Sequence, residues 1–84
     1  MFDIIYAKSV TKDLKKISKQ ALSQIKNEII ELKKFPVLSN LKHLKNHPLA
    51  DYRLRIGNYR VLFDVDWEKN EIQILKIGHR SKIY

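Results

Sequence analysis

The sequence has no cysteine, which excludes a disulfide framework and any thiolate metal site. Two glycines and two prolines among 84 residues leave no room for a flexible linker or a low-complexity tract. That scarcity points to one compact, ordered domain spanning 1–84. No apolar run approaches the roughly 20 residues that a membrane helix needs. The opening MFDIIYAKSV carries Asp3 where a signal peptide has a basic start, and its apolar stretch is too short for one. A cytoplasmic protein without membrane contact is therefore expected. Acidic residues are also few. Nine Asp and Glu against seventeen Lys and Arg give a formal charge of +8, which favours a polyanionic partner such as nucleic acid, ribosome, anionic lipid or an acidic protein.

What is present is organised around residues 52–63, YRLRIGNYRVLF. Arg53 and Arg55 alternate with Tyr52, Leu54 and Ile56, so the two guanidinium groups leave one face of a strand and three apolar side chains leave the other. Gly57-Asn58 supplies a two-residue turn, glycine accepting positive φ without steric cost and asparagine tolerating it. The second strand places Tyr59, Val61, Phe63 and Val65 on one side and Arg60, Leu62 and Asp64 on the other. A hairpin with three arginines and no carboxylate before Asp64 suits phosphate binding. The alternative for Arg60 is an ion pair across the sheet with Asp64 or Asp66.

Upstream, residues 2–7 read as a first strand, with Phe2, Ile4 and Tyr6 on one face. Ser9 is a candidate N-cap for a helix whose stripe is Val10, Leu14 and Ile17, with Asp13 near its first turn. Ser18 caps a second helix running to about Lys34 on Leu22, Ile25, Ile29 and Leu32, widened by Ala21 and Ile30. Phe35-Pro36 ends it. The segment from Val37 to Ala50 is the least regular, with Leu38, Leu41 and Leu44 spaced by three to anchor a short helical turn or an extended loop. His43 and His47 have the i, i+4 spacing that seeds a zinc site on a helix, but no third ligand is evident and Pro48 abuts the second. Neither metal nor cofactor is expected. His43 and His47 are read with Lys42 and Lys45 as RNA or phosphate contacts of the loop. A last strand, Glu71 to Ile77, places Ile72 and Ile74 on one face and Gln73, Leu75 and Ile77 on the other. The order is β-α-α-β-β-β: an α+β fold with an antiparallel twisted sheet and a two-helix hairpin on one face.

With the hairpin YRLRIGNYRVLF, the tail ILKIGHRSKIY and LKHLKNHPLADYRLR between the helices and the hairpin, that order resembles the RelE/ParE toxin superfamily over essentially the whole chain. The specific parts are the Tyr-Arg pair after the glycine turn, Gly-x-Arg after the last strand, and the closing tyrosine. The resemblance implies a toxin of a type II toxin–antitoxin pair. In the RelE branch such toxins cut mRNA in the ribosomal A site; in the ParE branch they poison DNA gyrase. It assigns Arg60 to the scissile phosphate, Arg80 to the leaving group, and Tyr84 to stacking on the substrate nucleotide. Arg53 and Arg55 stand where RelE has lysines, and arginine is a poor general base near neutral pH. His79, beside Arg80, is then the candidate proton acceptor, and Arg53 and Arg55 are read as phosphate-binding. The implied partners are a cognate acidic antitoxin, mRNA and the ribosome with its rRNA. A monomer when free and a hetero-oligomer with antitoxin are expected. The alternative reading is a non-nucleolytic toxin of the ParE type, or a degenerate module that only binds antitoxin.

Overall fold

The computed structural model describes residues 1–35 and 40–83. The chain runs β1 (Asp3–Tyr6), α1 (Lys8–Lys15), α2 (Lys19–Ile30), a 3-10 turn (Glu31–Lys34), β2 (Leu41–His43), β3 (Tyr52–Ile56), β4 (Tyr59–Asp66) and β5 (Glu71–His79). Among the described residues the five strands form one sheet in the order β1-β5-β4-β3-β2. The antiparallel meander β3-β4-β5 and the two-helix cover are those expected. Two edges refine the expectation. β1 joins β5 in parallel, with Asp3 beside Glu71 and Tyr6 beside Ile74. β2 forms where a short helical turn or an extended loop is expected, and adds antiparallel to β3 through Leu41–Leu54 and His43–Tyr52. Three mostly polar residues carry no strand signal alone; the open edge of β3 creates the strand by pairing with it. Pro36 and Leu38 lie outside the described residues.

The helices are fixed by the sheet as much as by their own caps. Ser18 caps α2 as expected, accepting from the Ala21 N–H at 3.2 Å. α1 begins two residues earlier than its serine implied, with Ala7 at the N-cap. Ser9 Oγ instead donates to the Leu75 carbonyl at 3.3 Å, and the Asp13 carboxylate accepts from the Ile77 N–H at 3.0 Å. Pairing of β1 stops at Ile74, so β5 beyond it needs other partners for its backbone groups. α1 supplies them. α2 gives way at Ile30 to the 3-10 turn, and Ile30 is exposed rather than part of the stripe. It lies about 100° past Ile29 on the helix, while Ile25, Ile29 and Leu32 keep the i, i+4, i+7 line and are buried.

Between helices and sheet, Val10, Ile25, Ile29, Leu32, Leu54, Val61, Phe63, Ile72, Ile74 and Ile77 form the main core. Ile77 belongs to it because of a β-bulge. Leu62 pairs with Lys76 but Phe63 with Ile74, so Leu75 is an extra residue on β5. The alternation that put Ile77 with Gln73 and Leu75 breaks there, and Ile74 and Ile77 share the helix side. The other face of the sheet has a small core of its own. Leu62 is fully buried under Ala50 and Ile83, with Leu44 and Leu75 packed against them.

Candidate nucleic-acid interface

The face away from the helices carries the arginines. Since Leu54, Ile56, Val61 and Phe63 point into the helix-side core, Arg53, Arg55 and Arg60 point to the opposite side with Leu62. The pairing register sorts them into two rows. Lys42 lies opposite Arg53, which lies opposite Leu62. Arg55 lies opposite Arg60, which lies opposite Gly78. Directly opposed residues have Cβ atoms about 4.5–5.5 Å apart, and like charges there destabilise the sheet. Lys42–Arg53 and Arg55–Arg60 are two such like-charged pairs side by side. The Arg53 Nε is buried without a hydrogen-bond partner among the described residues. An anion spanning the rows relieves the repulsion and supplies acceptors.

The hairpin turn anchors the site at one end. Gly57 has φ +56°, while Asn58 keeps negative φ, so glycine alone carries the turn's unusual conformation. Arg60 Nη1 donates to the Gly57 and Tyr59 carbonyls, both at 2.9 Å. The Arg80 N–H donates to the Asn58 carbonyl at 2.8 Å. Arg60 and Arg80, twenty positions apart in sequence, are thus both tied to one two-residue turn. The carboxylates of the neighbouring strand segment are engaged locally: Asp64 accepts from the Asp51 N–H, and Asp66 from the Lys69 N–H. The Lys82 N–H turns the tail back onto the His79 carbonyl at 2.9 Å, and Ile83 then packs over Gly78 and Leu62. A Cβ at position 78 would stand 3.7 Å from Ile83. The tail therefore crosses the arginine face, pinned by Ile83. Tyr84 itself lies outside the described residues.

Not every residue singled out in the sequence reaches this face. His79 is opposite Tyr59, with the rings 5.8 Å apart, and so stands on the helix side, across the sheet from Arg60. The bulge at Leu75 decides this side. His43 is opposite Tyr52, with rings 4.9 Å apart, and also faces the helix side. Residues 41–43 are a strand rather than a helix, so the His43–His47 spacing does not align two ligands on one helical face; among the described residues no cluster of three metal-ligating side chains occurs. His47 Nδ1 accepts from the Leu49 N–H at 3.1 Å and shapes the loop leading to β3. Lys42, His43, Lys45 and His47 line a shallow depression, and of the four, Lys42 is placed by register opposite an arginine. Sequence reasoning missed the tail anchor formed by Ile83, Ala50 and Leu44. An isolated isoleucine in a polar tail is its only signal. Burial raises the Tyr6 phenol above its ordinary value; Tyr6 pairs with Ile74 on β1, outside the arginine rows.

Residues 4–84 match the family described as the ParE toxin of type II toxin–antitoxin systems, parDE. A relative from Methanocaldococcus jannaschii that bears the toxin name RelE1 is 35% identical, over 99% of this chain and 94% of its own. Among solved structures, the archaeal RelE–RelB complex from Pyrococcus horikoshii OT3 contains a chain with TM-score 0.78 and 28% identity, covering 98% of both chains. The RelB–RelE antitoxin–toxin complex from Methanococcus jannaschii contains one with TM-score 0.75 and 29% identity, covering 95% of this chain and 94% of that one.

Proposed function

The chain belongs to the RelE/ParE family of type II toxin–antitoxin toxins, and from that premise we propose that it is a ribosome-dependent endoribonuclease that cuts mRNA in the A site. The observation that carries this reading is the convergence of Arg53, Arg55 and Arg60 on one face with Arg80 tied to the same turn. In the reaction, the ribose 2′-hydroxyl loses its proton and attacks the adjacent phosphorus. The 5′-oxygen leaves and takes a proton, giving a 2′,3′-cyclic phosphate and a 5′-hydroxyl end. Arg60 stabilises the charge that develops on the phosphate, Arg53 and Arg55 hold the flanking backbone, and Arg80 supports the leaving oxygen. Tyr84, following the pinned Ile83, orients the nucleotide. None of the arginines serves as the base, and His79 and His43 face away from Arg60. The 2′-proton therefore passes to water or to a ribosomal group, and the free protein acts weakly on naked RNA. Complexes of RelE-type relatives with antitoxins support a cognate antitoxin partner, an acidic segment that covers the arginine rows.

Mapping of 5′-hydroxyl mRNA ends on translating ribosomes after induction tests the reading. Cuts at a fixed offset within the A-site codon are expected. The one-sided placement of His79, with arginines in place of lysines, favours a second reading, a non-nucleolytic toxin. Induction that stops growth and traps cleaved DNA on gyrase without new mRNA ends would select it.

A further inference from the structure

We infer that the cleft between α1 and the end of β5 is a second single-stranded RNA site, holding the nucleotide adjacent to the one on the arginine face. The cleft has a volume of about 330 Å³ and lies between α1 and the end of β5, with Tyr59, His79, Lys16 and Lys82 in its lining. Its acidic residue, Asp13, is already engaged by the Ile77 N–H at 3.0 Å. Against that one carboxylate the lining sets Lys16 and Lys82, a net positive charge for an anion. Tyr59 and His79 meet edge to face, 5.8 Å apart at 79°, and both remain partly exposed. Cations beside partly exposed rings are what a nucleotide of a single strand requires, the phosphate on the lysines and the base on a ring. His79 has a defined role in this arrangement. Its Nδ1 faces the Ser81 hydroxyl at 2.8 Å and the Ser81 N–H at 3.2 Å, which leaves Nε2 as the ring nitrogen for a base or phosphate oxygen.

The cleft is also continuous with the arginine face. Arg80 follows His79 directly and is tied to Asn58, while Lys82 is folded back onto the His79 carbonyl. A strand leaving Arg60 and passing around the hairpin turn meets His79 and Lys82 next. An acidic peptide would suit the lysines but gains little from the paired rings, so RNA is favoured. This inference rests on the nucleolytic reading above for the direction of the strand.

The test uses a fluorescently labelled, 2′-O-methylated hexanucleotide, which cannot be cleaved, with the purified protein. Amide shifts on titration are expected at Tyr59, His79 and Lys82 as well as at the arginine rows. The Lys16→Ala/Lys82→Ala protein should bind about tenfold more weakly, with the salt slope reduced by about 0.7 for one lost phosphate of a single strand. Shifts confined to the arginine rows in the parental protein, or unchanged affinity and slope in the double variant, would overturn the inference. So would shifts in the cleft produced by a hexaglutamate peptide and not by the RNA. Ribosomal cleavage by the parental protein separates the two claims. No cleavage there removes the nucleolytic reading, whatever the cleft binds, while cleavage with no RNA in the cleft removes this inference alone.

Discussion

Replacing Arg60 by alanine sets function against stability in a way that two assays can separate. Arg60 is half-buried, and its Nη1 donates to the Gly57 and Tyr59 carbonyls at 2.9 Å. Hydrogen bonds from a charged donor contribute about 1.5–3 kcal/mol each when fully desolvated, and well under that at a half-exposed site. Removing the side chain also relieves its opposition to Arg55, worth roughly 0.2–1 kcal/mol in the other direction. The balance is a loss of about 1–2 kcal/mol. For a domain of this size, melting falls by about 4–8 °C per kcal/mol. An arginine merely exposed on a strand would cost only about 0.5 kcal/mol, so the tether to the turn is itself measurable. Cleavage should fall much further. Losing one preorganised donor to the transition-state charge slows reaction by about a hundred- to a thousandfold. Arg60→Lys should recover part of the rate, since a point charge replaces the planar fork. The assay is single-turnover cleavage of mRNA on programmed ribosomes, at a temperature where melts show the variant folded. A folded Arg60→Ala protein cutting at the parental rate would refute the assignment.

Arg55→Glu turns a like-charged cross-strand pair into an opposite-charged one. It should raise stability by roughly 0.2–1 kcal/mol in denaturant melts while weakening RNA binding. Leu62→Ala empties the centre of the second core and should cost about 2–5 kcal/mol by the same melts. At Gly78, alanine meets Ile83 in ordinary contact and should be nearly neutral, whereas Gly78→Leu should lift Ile83 off Leu62, slow cleavage and lower the melting temperature through the lost burial. Gly57→Ala meets open space but inherits φ +56°, and the turn should lose about 1 kcal/mol or somewhat more in melts.

The parts of this protein written locally are legible in its sequence. Side-chain alternation in YRLRI and YRVLF is a property of any strand, so it puts Arg53 and Arg55 on one face of the first strand and separates Arg60 from Tyr59 and Val61 on the second. The Ser18 cap and the Ile25, Ile29, Leu32 line likewise follow from helix geometry within a dozen residues. The basic composition and the hairpin, read with the Gly-x-Arg tail, were enough to suggest the family.

Tertiary structure decided whatever depends on partners distant in sequence. Ser9 is drawn from its expected cap, and Asp13 from its expected place in the field of the first turn, because β5 offers them backbone groups that β1 is too short to reach. The bulge at Leu75 is set by the match of β4 to β5, and no residue there announces it. Yet it moves Ile77 into the core, brings Gly78 opposite Arg60 and turns His79 to the helix side. Neighbours in sequence thereby part company: His79 faces the cleft, while Arg80 is held at the hairpin turn by Asn58. Ile83 reads as one apolar residue in a polar tail until Leu62 and Gly78 give it a surface to cover. Local periodicity fixes which residues share a face of one strand; only pairing between strands fixes which faces meet.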